Sequence, residues 1–191
     1  KNSVGNSSPS NIADATTTNQ TALIDFSGGF VATTNVLTLN GSARLDGTQL
    51  QLTGNGLNQS GSAFSKTAVD VTEFTSQFNF QITAGGNTAD GFTFAIQGVG
   101  PTALGRTGGD LGYGGIGRSA AIKFDLYNNL GEGVNSTGLF TNGASPLNVG
   151  SVNLASTGLD LHSGHIFQVA MTYDGTTLAV TITDTQTNQS A

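Results

Sequence analysis

Acidic and amide side chains flank two apolar segments of this chain, at positions where they could bind hydroxyl groups or a cation. Asp90 precedes the apolar segment 91–96, and Asp125 and Asn129 lie at the end of the next one. A glycine-rich stretch, residues 98–117, separates the two segments. Carboxylates accept hydrogen bonds from hydroxyl groups, carboxamides both donate and accept them, and the oxygens of both bind calcium. The pattern indicates a shallow site for hydroxyl groups, with calcium as a candidate ion.

The composition limits the classes of protein that need to be considered. The chain has 191 residues, 36% of them hydrophobic, and its 28 glycines are accompanied by no Cys and no Trp. This length fits one all-β domain, and no apolar run approaches the roughly 18 residues of a membrane-spanning helix. The formal net charge is −6 and the six basic residues are scattered, which argues against binding to a nucleic-acid backbone. Abundant Thr, Ser, Asn and Gly with few charges are typical of bacterial extracellular proteins, so we expect a secreted or cell-surface location.

Hydrophobic periodicity places these segments in an antiparallel sheet protein. Apolar residues alternate with polar ones between Val69 and Ile82, and the dipeptides Asn40-Gly41 and Asp46-Gly47 are strong turn signals. Further strands are predicted at residues 92–96, 120–127, 167–173 and 178–183, the last two joined by a turn at residues 174–177. No segment has a helical period. The sequence therefore predicts an antiparallel β-sandwich over residues 21–191, preceded by a polar arm or linker over residues 1–20.

Several short motifs occur in an order and spacing that resemble the L-type, legume-like lectin domain. Each of them is weak alone, and together they span about residues 21–184. They are the strand-like segments 23–30 and 74–80, the tripeptide Ala89-Asp90-Gly91, the loop 108–112 and the run Phe124-Asp125-Leu126-Tyr127-Asn128-Asn129. The continuation through residues 130–143 resembles the bacterial branch of this family.

The resemblance implies a concanavalin A-like jelly-roll sandwich that binds a glycan at one end of its concave sheet. Asp90, with a cis peptide bond to Ala89, and the adjoining Gly91 would contact the sugar. Gly109 would donate its backbone N–H group, and Asn129 would donate from its side chain. An ordinary turn at Asp90 and Gly91 is the alternative.

The resemblance also implies a calcium ion, held by Asp125, the carbonyl of Tyr127, Asn129 and Glu132. Asp125 could instead be a strand-end carboxylate that caps a turn. Legume members carry a second, transition-metal ion nearby. At its positions this chain has Lys123 instead of Glu and Ser136, or a residue near it, instead of His. We therefore expect the second site to be lost, with the Lys123 ammonium in the charge role of the missing cation, where it could also weaken calcium binding.

Catalytic alternatives receive little support from the residues present. A related glucanase would need two carboxylates facing the scissile bond, but the chain has only two Glu, Glu73 and Glu132, and no Glu-x-Asp-x-x-Glu run occurs. His162 and His165 are interpreted as ordinary surface residues. The glycine-rich loop does not read as a dinucleotide site because no helix follows it. The chain is therefore expected not to be an enzyme.

A structural or self-assembling role is the remaining alternative. L-type lectins usually continue with further strands beyond a hairpin like the one at Asp174, whereas this sequence stops at Ala191. The domain is therefore expected to lack C-terminal strands, either because this sequence is part of a longer one or because another chain supplies them. An open sheet edge would favour strand addition by another chain, and the polar arm at residues 1–20 is the candidate donor. A fibre or adhesin subunit would use the same fold as a scaffold.

Overall fold

The computed structural model describes residues 11–17, 20–31, 33–83, 89–147 and 149–191. Its regular structure is almost entirely β, with short 3₁₀ turns at Thr33–Asn35 and Gly108–Asp110. The strands are β1 (Asn11–Thr17), β2 (Gln20–Asp25), β3 (Leu37–Gly41), β4 (Arg44–Asp46), β5 (Gln49–Gln51), β6 (Gly61–Ser65), β7 (Phe74–Gln81), β8 (Gly91–Gln97), β9 (Ser119–Asp125), β10 (Ser136–Thr141), β11 (Ser151–Asn153), β12 (Ile166–Tyr173) and β13 (Leu178–Asp184). Within the described ranges, no helix has the length and hydrophobicity needed to cross a membrane.

Five antiparallel strands form one layer of the molecule, in the order β13-β12-β7-β1-β2. Phe78 and Phe80 of β7 are buried while the residues between them are more exposed, as period-two alternation requires. Phe80 pairs with Phe167, and Phe78 pairs with Val169 of β12. The register therefore gathers apolar side chains on one face of this sheet.

Four antiparallel strands form the opposing layer, in the order β11-β10-β9-β8. Phe92 of β8 pairs with Phe124 of β9. Ring contacts then join the two layers, since Phe80 lies 4.9 Å from Phe92 and 5.0 Å from Phe124 between ring centroids. Phe78 stacks on Phe94 at 5.7 Å. The predicted antiparallel β-sandwich is confirmed.

The second face of the four-stranded sheet is covered by the glycine-rich loop between β8 and β9. Tyr113 and Ile116 of this loop pack on Ala95, Ala121 and Phe140 in a separate apolar cluster. Because side chains alternate along β9, Lys123 and Asp125 lie on this same covered face. The loop is thus folded over the strand that carries the candidate site.

Two segments differ from the sequence-based expectation. Val69 and Val71 pack against the core from a loop, because the Asp70 carboxylate accepts hydrogen bonds from the backbone N–H and hydroxyl of Thr72 and bends the chain. Residues 11–17, within the predicted arm, form β1 and pair with β2 and β7. Their polar composition gives no periodic signal. Residues 1–10 lie outside the described ranges, and the boundary between arm and domain stays a prediction.

Candidate functional site

Asp90 directly precedes β8, and its backbone lies beside the end of β9. Its peptide bond with Ala89 is cis, as the resemblance implies. The carbonyl of Asp90 accepts a 2.7 Å hydrogen bond from the N–H of Leu126. At Gly91, where φ is +142°, a Cβ would lie 2.2 Å from the carbonyl oxygen of Phe124. Glycine is therefore required here by close backbone approach, and it joins the start of β8 to the end of β9.

The loop after β9 brings Asn129 to Asp90. The side-chain Nδ2 of Asn129 lies 3.5 Å from Asp90 Oδ1, at the outer limit of a hydrogen bond, and Asn129 is exposed. The carboxylate can accept and the carboxamide can donate. The two side chains therefore offer complementary groups to a ligand that reaches both.

The glycine-rich loop supplies the third segment of the candidate site, next to Asp90 and Asn129. A Cβ on Gly109 would lie 2.7 Å from Asn129 Cγ, and one on Gly108 would lie 3.7 Å from Asp90 Oδ2. Three segments that are distant in sequence therefore meet at Asp90, Gly109 and Asn129. Their contact with a sugar stays a prediction.

Polar contacts hold the glycine-rich loop in place. Arg106 Nε donates to Asp110 Oδ2 at 2.6 Å, the hydroxyl of Ser145 donates to Asp110 Oδ1, and the N–H of Gly112 donates to the Arg106 carbonyl at 3.0 Å. Partial burial opposes ionisation of Asp110, but its bonds from Arg106 and Ser145 outweigh this and hold its pKa below the ordinary value. The loop is held by hydrogen bonds within it and by the hydroxyl of Ser145 from the turn after β10.

A buried ion pair lies beneath the site. Lys123 Nζ donates to Asp125 Oδ2 at 2.8 Å, with side-chain exposures of 0% and 1%, and also to the carbonyl of Pro146 at 3.0 Å. The other carboxylate oxygen, Oδ1, accepts the N–H of Tyr127 at 3.1 Å. Burial is the largest influence on Asp125 and raises its pKa, and the nearby Glu132 charge acts in the same direction.

Glu132 closes the loop that carries Asn129. Its Oε1 accepts the N–H of Asn129 at 2.9 Å, and its Oε2 accepts the N–H of Leu130 at 2.7 Å. Burial of this carboxylate opposes its ionisation, but the amide donors outweigh burial and hold the pKa of Glu132 below its ordinary value. The ionised carboxylate of Glu132 therefore holds the backbone of this loop through two hydrogen bonds.

The residues present do not fit a second, transition-metal ion. Ser136 pairs with Asp125 across β9 and β10, and its buried hydroxyl has no hydrogen-bond partner. A serine hydroxyl and the Lys123 ammonium replace the imidazole and carboxylate that such an ion needs, and an ammonium has no lone pair to offer. In the part of the chain that the structure describes, no group of three or more His, Cys, Asp or Glu side chains is arranged to hold a metal.

The chemistry of the donor set does fit one calcium ion. Asp125 and Glu132 supply carboxylates, while Tyr127 and Asn129 supply a carbonyl and a carboxamide oxygen, all hard donors of the kind that calcium binds. Lys123 balances only one of the two carboxylate charges. One divalent cation beside them would more than offset the remaining negative charge.

Both histidines are partly exposed, and each has a structural partner. The ring Nε2 of half-buried His162 lies 2.7 Å from the carbonyl of Val134, and His165 Nδ1 lies 2.8 Å from Asp184 Oδ2. The side chain of Asn135 donates to the Leu159 carbonyl. The His162 and Asn135 contacts connect the loop of residues 129–135 to the segment 159–165, and the His165 contact connects that segment to the end of β13.

Sequence reasoning missed Ser145 and Pro146. Pro146 acts through its backbone carbonyl, and Ser145 lies 35 residues from its partner Asp110. A backbone acceptor leaves no trace in residue type, so only the short turn after β10 could have drawn attention to this segment.

Comparison with known proteins agrees with this architecture. The lectin from Bauhinia forficata, in complex with GalNAc, superposes with a TM-score of 0.65 at 24% identity, covering 81% of this chain and 75% of that one. Arcelin-5, a lectin-like defence protein from Phaseolus vulgaris, gives 0.63 at 23% identity, covering 83% and 75%. The exoplasmic/lumenal domain of VIP36, in a Ca2+/Man-bound form, gives 0.58 at 15% identity, covering 82% and 68%.

These likenesses show the concanavalin A-like fold. The family assignment rests on a separate match, because the profile of the legume lectin domain matches residues 24–191. Domains of this family typically bind metal ions, and membership supports a carbohydrate-binding role. The chain belongs to the legume lectin domain family.

Proposed function

We propose that this chain is a non-catalytic carbohydrate-binding module of a bacterial protein that is secreted or displayed on the cell surface. The convergence of Asp90, Gly109 and Asn129 at one exposed position carries the proposal. The Asp90 carboxylate accepts from sugar hydroxyls, while the Gly109 N–H and the Asn129 carboxamide donate to them. Gly91 keeps the backbone close enough to β9 for Asp90 to face the ligand.

Calcium belongs to this proposal as a support for the sugar-binding groups. Asp125, the Tyr127 carbonyl, Asn129 and Glu132 would hold it. When bound, it would fix the orientation of the Asn129 carboxamide and supply a positive charge beneath the ligand. The relatives suit such a role, because one is described with GalNAc and another with calcium and mannose. Extracellular placement is supported by the exoplasmic/lumenal domain among these relatives.

A glycan array tests the proposal, run once in calcium and once in EDTA. The variant Asp90→Asn keeps the size of the side chain but removes its charge, and Asp46→Asn, at an exposed residue of β4, is the matched control. We expect the native chain and the control to bind a restricted set of glycans. The Asp90 variant should not bind them. Loss of binding in EDTA would support the calcium assignment.

Failure of the folded native chain to bind any glycan would overturn the proposal. In that case size-exclusion chromatography would test the alternative, a structural or self-assembling subunit that associates through an open sheet edge. Large assemblies that persist on dilution would support that role, and a monomer would exclude it.

A further inference from the structure

Lys123 occupies a position that is unusual for a lysine. Its side chain is fully buried, whereas lysines are almost never fully buried unless they are paired. The ammonium contacts the Asp125 carboxylate and the Pro146 carbonyl, and it lies 5.6 Å from the centre of the Phe140 ring. An anion, a carbonyl dipole and an aromatic ring thus compensate this charge from three directions.

The two polar partners of Lys123 belong to different parts of the molecule. Asp125 leads into the loop of residues 126–132, which carries Asn129. Pro146 lies in the turn after β10, and its neighbour Ser145 donates to Asp110 of the glycine-rich loop, which carries Gly109. Hydrogen bonds from Lys123 and Ser145, together with short stretches of backbone, therefore connect the loop that carries Asn129 to the loop that carries Gly109.

We infer that Lys123 is a built-in cation that joins the two loops of the site and makes a second metal ion unnecessary. On one side the ammonium fixes the end of β9. On the other it holds the turn of residues 144–147, whose Ser145 keeps Asp110 and the glycine-rich loop in register. Lys123 and Ser145 are thus positioning residues for Gly109 and Asn129.

The surroundings of Lys123 argue against an ion in its place. The ammonium already pairs with Asp125 Oδ2 and would repel a second cation placed beside it, and Ser136 Oγ is the neutral group that faces Asp125 from β10. The positive charge that would cross-link the loops is already covalently attached to β9. This inference deepens the proposed function, because it concerns the loops that carry Gly109 and Asn129, but its tests need no glycan.

The first test measures metal content and thermal stability together. The native chain is stripped with EDTA, dialysed against Ca2+, Mn2+ or both, and examined by elemental analysis and calorimetry. We expect at most one ion per chain, with no further ion and no further rise in Tm when Mn2+ is added to the calcium-saturated protein. Two ions per chain, or a higher Tm with both ions than with Ca2+ alone, would overturn the inference.

The second test uses amide hydrogen exchange to follow the two loops separately. Ser145→Ala removes the contact with Asp110, so exchange should accelerate in residues 105–115 but not in residues 126–132. The double variant Lys123→Met/Asp125→Asn removes both buried charges together and should accelerate exchange in both loops. Exposed Lys66→Met is the matched lysine control.

The use of two variants keeps the inference testable when one of them fails to fold. If the double variant does not fold, Ser145→Ala still tests the connection through the turn. Unchanged exchange in residues 105–115 of a folded Ser145→Ala protein would show that the turn does not hold the loop. Accelerated exchange confined to β9 in the double variant would show that Lys123 stabilises only its own strand.

Discussion

At the scale of single residues, the candidate site depends on the absence of a side chain as much as on the presence of polar groups. Gly109 leaves the space in which Asn129 stands, since any Cβ there would lie 2.7 Å from Asn129 Cγ. Real Cβ atoms essentially never approach other atoms so closely. A side chain at position 109 would therefore have to push the Asn129 carboxamide away from the ligand position.

Gly109→Ala should displace Asn129 and weaken glycan binding. We expect at least a tenfold loss of affinity, or about 1.4 kcal/mol, with little change in Tm because both residues lie at the surface of the loop region. Titration with the glycan found on the array measures it. Gly117→Ala is the matched control, because a Cβ there would meet nothing within 4 Å. Equal affinities for the two variants would place the ligand away from Gly109.

The residues of the site were predictable to different degrees. Asp90 precedes one apolar strand, Asp125 and Asn129 lie at the end of the next, and the structure places Asp90 and Asn129 together. Period-two spacing along β9 places Lys123 and Asp125 on one face of the strand, but it does not predict that both side chains are buried. The contribution of Pro146 could not be foreseen, because it is made by a backbone carbonyl on another segment.

At the scale of elements, the β12–β13 hairpin is fixed at its open end by Asp184. Its Oδ2 pairs with His165 Nδ1 at 2.8 Å, and its Oδ1 accepts the N–H of Gln186 at 2.8 Å. Burial opposes ionisation of Asp184, but the bond from His165 and the amides of Gln186 and Thr187 outweigh it and hold its pKa below the ordinary value. The ionised carboxylate thus stabilises the folded hairpin.

This pKa shift gives a signed prediction for acid stability. A carboxyl group with a depressed folded-state pKa stabilises the protein above its unfolded-state pKa of about 3.9 and loses that contribution as the pH falls through the folded-state value. Urea denaturation across this range should therefore show a declining free energy of unfolding. Asp184→Asn should be less stable than the native chain at neutral pH and should show a shallower decline in acid. Exposed Asp46→Asn should retain the native profile, and a native-like profile for Asp184→Asn would refute the assignment.

Strands with alternating large apolar residues were predictable, and strands without them were not. Phe78 and Phe80 recur at period two in β7, and Ile122 and Phe124 do so in β9. The segment around Val69 and Val71 has the same alternation, but a turn at Asp70 competes with extended structure there. Alternation reports which residues face a core, and it does not report whether the backbone between them pairs with a neighbour.

At the scale of the whole molecule, the two layers are joined by aromatic rings. Phe80 is fully buried and contacts Phe92 and Phe124 of the opposing sheet as well as Phe167 of its own. Aromatic pairs of this kind add to the stabilisation that burial alone provides. The relative position of the sheets, and with it the distance between β9 and the loops above it, depends on this cluster.

Phe80→Ala should open a cavity between the layers and lower the free energy of unfolding by about 3–5 kcal/mol. Equilibrium denaturation in urea, monitored by circular dichroism, measures the loss. Leu57→Ala removes a side chain that is 93% exposed and should change stability little. A loss for Phe80→Ala no larger than that of the Leu57 control would contradict the assigned core.

The glycine-rich loop has a thermodynamic consequence for recognition. It carries few long side chains, and backbone hydrogen bonds such as Gly105 N–H to Gly112 O and Gly115 N–H to Gly143 O already hold it in shape. A ligand that docks against it has few rotamers to freeze and little backbone to order, and such ordering is a main entropic cost of association. Selectivity among glycans would then come from shape complementarity to a rigid surface and not from a loop that closes around the ligand.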